Sequence, residues 1–305
     1  MRSPGINPAP TGALLLLCLL WAAASLRSDL LPGTASQTNS SRLLDQACVL
    51  ALFAILAAII AMVQREIWPR GQSLLGAVLV GIGLLALPAL LVEFAKARVE
   101  GSTRVALFSL VPVFAVVLEP YLGSASQSPQ RGGLAAALVA VAGTLLIFPV
   151  ELPRSIVPAI AFFGVVAAVA SVASANCLAV KIAQDQTLVS LSGFGALAAS
   201  SAAILLAITG LSIERRAPRI DAWTIPDFLA LALLFWLMRR MSAVRMTTRF
   251  LVAPLAANLI ALAFLRPGVQ LRAWVGLLLI AIGSGWLLLA REDEPEKSSS
   301  PLGIN

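Results

Sequence analysis

Few residue types in this sequence could do chemistry, and carboxylates are the main ones. The chain has no histidine and only 15 acidic residues among 305 positions. The lack of histidine excludes Ser-His-Asp catalysis, histidine metal ligation and histidine proton relays. No apolar segment contains the cluster of carboxylates that holds a metal in membrane enzymes acting on phosphates. The sequence therefore predicts no enzyme, no metal site and no cofactor. It also lacks the Gly-x-x-x-x-Gly-Lys-Ser/Thr loop of an ATPase.

Two carboxylates, Glu93 and Glu119, are candidates for binding a substrate or a proton, because each follows an apolar run. An ionisable group in hydrocarbon is costly and indicates function by default. Lys96 lies three residues after Glu93 on the same helical face, so an interfacial ion pair is the favoured alternative there. Glu119 lies near a predicted helix end, where contact with water is an equal alternative.

Neutral residues inside apolar segments give further candidates. An asparagine there could bond a substrate or tie two helices together, and a tryptophan could line a cavity or anchor the helix at the membrane interface. The candidates of these two types are Trp21, Asn176, Trp236 and Asn258. A proline inside a span removes one backbone hydrogen bond and kinks the helix. The predicted kinks or hinges are at Pro88, Pro112 and Pro254.

The composition shows what kind of element must position these residues. Hydrophobic residues make up 59% of the chain and charged residues 12%, and the mean hydropathy is +0.92. A soluble domain carries roughly 25% charged residues, so most of this surface must face a lipid bilayer. The basic residues that give the net charge of +7 lie between apolar blocks, as in juxtamembrane loops. They do not indicate nucleic-acid binding.

The charged residues divide the chain into apolar segments. A helix of about 20 mostly apolar residues is long enough to cross a bilayer. These segments do not alternate in the manner of barrel strands. We therefore predict an all-α integral membrane protein with about ten transmembrane helices. The predicted spans lie near 10–26, 46–63, 73–95, 104–122, 132–150, 155–178, 187–211, 222–239, 248–265 and 273–290. A disordered polar tail is expected at 291–305.

The first segment also has the features of a cleaved signal peptide. Arg2 precedes an apolar run that starts at Ala13, and small residues follow at 22–24. We nevertheless expect this segment to be kept as a span, because its length is nearly sufficient to cross the bilayer and because the internal repeat requires it.

Similar patterns recur at half the length of the chain. Pro112 and Pro254 lie in similar apolar contexts 142 residues apart, and Gly143 and Gly285, each followed one residue later by a Leu pair, have the same separation. This offset predicts two five-helix repeats, over 1–150 and 151–290. An odd number of spans per repeat places the two halves in opposite orientations, which is a frequent plan in secondary transporters.

The layout resembles the drug/metabolite transporter superfamily, specifically its EamA-type ten-helix members. The likeness is carried by Trp21 and by residues 97–123, 132–148, 242–265 and 276–289. It implies a secondary active transporter that exports small organic metabolites or amino-acid-like solutes by alternating access. It also implies a cavity lined by the first, third, fourth, sixth, eighth and ninth spans. The chain departs from the family in lacking a Gly-Glu pair after each proline; it has Gly123-Ser124 and Arg266-Pro267 instead.

The location and partners follow from the same resemblance. It implies a multi-pass protein of the cell (inner) membrane with both termini in the cytoplasm. The basic residues give no orientation, because this topology places 11 of the 22 on each side. The expected partners are a small-molecule substrate and the lipid bilayer, with proton coupling and a homodimer left open and no nucleic acid. The alternative function is a non-transporting membrane scaffold or assembly subunit.

Overall fold

The computed structural model describes residues 8–30, 42–122, 132–184, 191–214, 217, 224–265 and 270–289. All regular structure in these residues is helical, and they contain no strand. The predicted polar tail 291–305 lies outside the described residues. The positions that lack the family's Gly-Glu pair, Gly123-Ser124 and Arg266-Pro267, also lie outside the described residues.

Ten helical segments follow one another in the described residues, and we number them α1 to α10. The first five are α1 Pro8–Leu30, α2 Leu43–Val63, α3 Gln72–Ala95, α4 Gly101–Leu122 and α5 Gly133–Ile147. The next three are α6 Ile156–Gln184, α7 Leu191–Glu214 and α8 Thr224–Met238. The last two are α9, formed by Ala243–Thr247 and Arg249–Leu265, and α10 Leu271–Leu289.

Seven of the helices in the described part of the chain are long and apolar enough to cross a membrane, and α1, α5 and α8 are shorter apolar helices. Large hydrophobic side chains remain exposed on their outer faces, for example Ile55 on α2, Ile204 on α7 and Leu278 on α10. Exposed aliphatic side chains along a helix are stable in lipid and unfavourable in water. The protein is therefore an all-α, multi-pass membrane protein.

The start of α9 differs from the prediction. The predicted span begins near 248, whereas the helix begins at Ala243 and includes both Arg245 and Arg249. The sequence interpretation left Arg245 outside the span, put Arg249 at its very start, and counted both among the basic residues on one side of the membrane. Arg249 is instead only 1% exposed and has hydrogen-bond partners inside the protein, so its charge does not end the span.

Two of the three predicted proline kinks coincide with breaks in helix geometry. In α3 the helix widens to a π-helical segment over Ile82–Ala86, and Pro88 is the second residue after it. In α4 the helix is interrupted after Phe108, and Pro112 is the second residue of the part that resumes at Val111. Pro254 instead lies inside the helix Arg249–Leu265, without an interruption at that position.

The helices pack through a small number of extensive pairs. The pairs in contact include α2–α7, α5–α10, α1–α9, α4–α6, α3–α6, α1–α8, α3–α7 and α2–α8. The approach of α5 to α10 is very close: a Cβ added to Gly143 would lie 2.6 Å from the backbone oxygen of Gly276. A Cβ added to Gly283 would lie 2.6 Å from the backbone oxygen of Ala136. The two helices are therefore antiparallel and pack through small residues.

The pair α2–α7 is also antiparallel and is joined at one end by a carboxylate. Glu214, the last residue of α7, accepts hydrogen bonds from the backbone N–H groups of Leu43 and Leu44 at 2.6 and 3.2 Å. The first N–H groups of a helix have no partner within the helix, and the helix dipole favours a negative charge beside them. Glu214 thus caps the start of α2 from a neighbouring helix.

Candidate substrate-binding cavity

A cavity of about 590 Å³ lies among four helices of the bundle. Its lining comes from α1, α3, α4 and α9, with Phe148 added from the chain just after α5. The lining residues are Trp21, Ser25, Val92, Gly101, Arg104, Val105, Phe108, Phe148, Arg249, Phe250, Ala253, Pro254, Ala257, Asn258 and Ala261. The resemblance implied walls from α6 and α8 as well, and these two helices do not contribute to this lining.

The cavity extends from one end of the helices into the interior. Ser25, Val92 and Phe148 lie near the ends of α1, α3 and α5, and Gly101 begins α4, so all four lie at the same face. On α9 the lining runs from Ala261 to Arg249, a distance of about 18 Å at the usual helical rise. Arg249 therefore lies at the deep end of the cavity, about 9 Å from the start of α9.

Arg249 is held in the interior by two neighbours. Both of its terminal nitrogens, Nη1 and Nη2, donate to Asn176 Oδ1 on α6 at 3.1 Å. Nη1 also donates to the backbone oxygen of Met246 at 2.9 Å, one turn earlier on α9. The third nitrogen, Nε, is buried and has no hydrogen-bond partner among the described residues. The guanidinium is thus fixed in position with part of its donor capacity unused.

Aromatic rings surround this guanidinium. Its central carbon lies 4.8 Å from the ring centroid of Phe250 and 5.4 Å from that of Trp21. Phe250 in turn packs against Trp21 at 6.0 Å and against Phe108 at 5.9 Å between ring centroids. A cation over an aromatic face is stabilised by the ring quadrupole, so these rings help to hold the charge of Arg249 in an apolar setting. They also give the deep end of the cavity an aromatic wall.

A second arginine lies nearer the open end. Arg104, in the first turn of α4, is partly buried and lines the same cavity. Its Nε is also buried and has no hydrogen-bond partner among the residues that the structure describes. The carboxylate of Glu93 on α3 is close enough to Arg104 to interact with it electrostatically. Among the described residues, the lining thus contains two cationic side chains and no acidic one.

The structure separates the six predicted binding residues into two groups. Trp21 and Asn258 line the cavity, and Asn176 stands behind it as the partner of Arg249. Asn258 also donates from Nδ2 to the backbone oxygen of Pro254, which lines the cavity too. Glu93, Glu119 and Trp236 do not line the cavity.

The residues outside the cavity have other surroundings. Glu93 Oε2 accepts a hydrogen bond from Lys96 Nζ at 3.0 Å, so these two residues form the ion pair that their spacing indicates. Glu119 is 8% exposed on α4 and lies near Cys177 of α6. Trp236 stacks with Arg240, whose guanidinium carbon lies 4.2 Å from the ring centroid.

Both cavity arginines were missed by sequence reasoning. Arg249 was counted with Arg239, Arg240 and Arg245 as one basic cluster on the inner side of the membrane, and Arg104 was the first residue of the predicted fourth span, with no role assigned to it. One signal could have separated Arg249 from the cluster. Residues 250–265 after it contain no charge, so a helix begun one or two turns earlier would carry Arg249 into the hydrocarbon.

Comparison with known proteins shows that the fold is shared with solved structures. No protein-family model matches the chain, and no curated protein matches it. One solved structure, described only as "Crystal structure of protein", is similar with a TM-score of 0.73 and 13% sequence identity. The alignment covers 93% of this chain and 99% of that one. At this identity the similarity shows a shared fold over nearly the whole chain.

Proposed function

We propose that this protein is a secondary active transporter for small organic solutes, of the kind found among EamA-type members of the drug/metabolite transporter superfamily. The observation that carries the proposal is the cavity, which reaches from one face of the bundle to Arg249 at its deep end. Its volume of about 590 Å³ is within the range of small-molecule sites. A scaffold would need no such cavity, and its presence counts against that alternative.

The helix pairs support an arrangement of two inverted five-helix repeats. Advancing each helix number by five converts α4–α6 into α9–α1, and α3–α6 into α8–α1. The same operation exchanges the partners within α2–α7 and within α5–α10, and both of these pairs are antiparallel. A two-fold axis in the membrane plane relates halves in this manner in many secondary transporters.

The glycine contacts support the same symmetry and refine its register. The contact of Gly143 with Gly276 and the contact of Ala136 with Gly283 exchange under an offset of 140 residues. Pro112 and Pro254 instead suggest an offset of 142 residues. The pairing of Gly143 with Gly285 has less support, because a Cβ on Gly285 would meet nothing within 4 Å, whereas one on Gly143 would meet backbone. Gly143 and Gly283 are the better equivalents.

In transport by alternating access, this cavity would open first to one face of the membrane and then to the other. With both termini in the cytoplasm, the cavity in its present form opens to the outside, because α1, α3 and α5 end there. An exporter in this state releases its solute. The helix breaks before Pro88 and Pro112 are candidate hinges, because a widened or interrupted helix has fewer backbone hydrogen bonds to resist bending.

The test of this function is solute flux in proteoliposomes containing the full chain, measured across a metabolite panel with and without a proton gradient. Ala257→Trp fills the cavity, and Leu278→Trp on the lipid-facing side of α10 is the matched control. We expect flux of at least one solute, a large loss in the first variant and little change in the second. Absence of flux for every solute, or equal flux in both variants, would contradict the proposal.

A further inference from the structure

We infer that the cavity binds organic anions: a carboxylate at Arg249, with an apolar or aromatic body against Trp21, Phe108 and Phe250. This inference rests on the proposed transport function and names its substrate class. It is drawn from the donors that Arg249 leaves unused, from the charges in the lining and from the character of the walls.

The donors of Arg249 can be counted one by one. A guanidinium has five N–H groups. Nη1 uses two of them, for Asn176 Oδ1 and Met246 O, and Nη2 uses one, for Asn176 Oδ1. The N–H of Nε and one N–H of Nη2 remain. These two bonds point in parallel from the side edge of the planar group, which is the arrangement that binds both oxygens of one carboxylate.

The charges of the site favour an anion. Arg249 is 1% exposed, and no carboxylate among the described residues pairs with it. A buried charge without a counter-charge is strongly unfavourable, and a buried donor without a partner calls for an explanation. Arg104 adds a second positive charge to the same lining. A bound anion would supply the missing negative charge, and one that reached the buried Nε would also satisfy that donor.

The walls determine the rest of the ligand. Beyond the two arginines, the polar side chains in the lining are Ser25, Asn258 and the indole N–H of Trp21, and the other lining residues are apolar or aromatic. An ammonium group on the ligand would find no carboxylate in the described lining. We therefore expect monoanionic aromatic or apolar acids to bind better than zwitterions of the same shape, since the zwitterion loses the hydration of its ammonium without replacement.

Four probes of nearly equal shape test this selectivity on the purified full chain: 3-phenylpropionate, its neutral amide, phenylalanine and the cation 3-phenylpropylamine. Calorimetric titration and thermal unfolding measure their binding. We expect 3-phenylpropionate to bind at least tenfold more tightly than the amide, phenylalanine to bind more weakly than 3-phenylpropionate, and the amine to show no binding. Equal binding of acid and amide, or preference for the amine, would overturn the inference.

Substitutions locate the anion. Arg249→Lys keeps the charge but removes the pair of parallel donors, and we expect it to weaken 3-phenylpropionate binding about tenfold or more while binding of the amide changes little. Arg104→Gln should weaken the acid severalfold and leave thermal stability nearly unchanged. Arg240→Gln is the control, because this arginine stacks on Trp236 outside the cavity. If Arg249→Lys fails to fold, Arg104→Gln still decides, and unaltered acid binding in it would contradict the charge argument.

This inference and the proposed function can fail separately. Binding of 3-phenylpropionate in the predicted order without flux into proteoliposomes would sustain the anion site and overturn transport of that class. Flux of neutral or cationic solutes that Ala257→Trp abolishes, without any binding of the acid, would sustain transport and overturn the anion site.

Discussion

Arg249 shows how one charged residue can be accommodated inside a membrane-spanning helix. Two of its nitrogens are hydrogen-bonded to Asn176 of another helix, and aromatic rings cover the group. Asn176 therefore ties α6 to α9 through Arg249. The sequence allowed two roles for this asparagine, bonding a substrate or tying two helices together, and its bond to a cavity arginine lies between them. Asn258, in contrast, bonds to Pro254 of its own helix and lines the cavity.

The two asparagines should consequently respond differently to replacement. Asn176→Ala removes the acceptor of two hydrogen bonds from a buried cation, and we expect a loss of stability of about 3 kcal/mol. Asn258→Ala removes only a bond within one helix and should cost less than about 1 kcal/mol while changing solute affinity. Denaturation of the detergent-solubilised protein measures both. Equal stability losses in the two variants would show that the Asn176–Arg249 contact has no special importance.

Proton coupling, if the protein uses it, should depend on Glu119 more than on Glu93. Glu119 is 8% exposed inside the bundle, whereas the side chain of Glu93 lies at the end of α3 and is 21% exposed. We expect Glu119→Gln to abolish flux driven by a pH gradient and to spare exchange at equal pH. Glu93→Gln should retain most of the driven flux. Driven flux that survives the double replacement would remove both carboxylates as proton carriers.

The contact of α5 with α10 is the element pair most sensitive to a single added methyl group. A Cβ on Gly143 would lie 2.6 Å from Gly276 O and 2.8 Å from the backbone nitrogen of Ile280. Since both atoms are backbone, neither can move aside without shifting a whole helix. The short apolar helix α5 is thus held in place largely by its packing against α10.

We therefore expect Gly143→Ala to destabilise the protein by about 1–3 kcal/mol, seen as a lower unfolding temperature. Gly285→Ala on α10 is the control, because a Cβ there meets nothing within 4 Å, and alanine favours the helix by up to about 1 kcal/mol. A lower unfolding temperature in the control and none in Gly143→Ala would contradict the close approach of these helices.

At the scale of the whole molecule, alternating access predicts that the deep end of the cavity is accessible from one membrane face in one state and from the opposite face in the other. In a chain whose three cysteines are replaced, Ala253→Cys and Ala261→Cys should both react with a membrane-impermeant thiol reagent from the face where α1 ends. A transported solute should shift reactivity of the first variant, but not of the second, toward the opposite face. Leu278→Cys, which faces lipid, should react from neither.

Reactivity of Ala253→Cys that stays on one face under every solute and gradient would contradict alternating access. It would leave the cavity as a one-sided binding site, as a receptor or scaffold could have. Equal reactivity of Ala253→Cys from both faces at once would indicate a continuous pore instead, which an alternating transporter does not form.

The number and class of the elements could be predicted from the sequence because they depend on local properties. A helix crosses a bilayer only if about 20 neighbouring residues are apolar, and charge spacing reveals this directly. About ten transmembrane helices were expected; the described chain has ten helical segments, and seven of them are long and apolar enough to cross a membrane. The kinks before Pro88 and Pro112 were predictable for the same reason, since proline acts on its own turn.

The cavity and the roles of its arginines could not be predicted in this way, because they depend on contacts between residues far apart in the chain. Arg249 resembles a loop charge until Asn176, 73 positions earlier, and Trp21 from α1 are placed beside it. A charge ends a span when it faces lipid and belongs to one when other helices supply its partners. The scarcity of charge in this sequence thus indicated the bilayer, while the packing of α1, α4, α6 and α9 placed two of those charges at a candidate binding site.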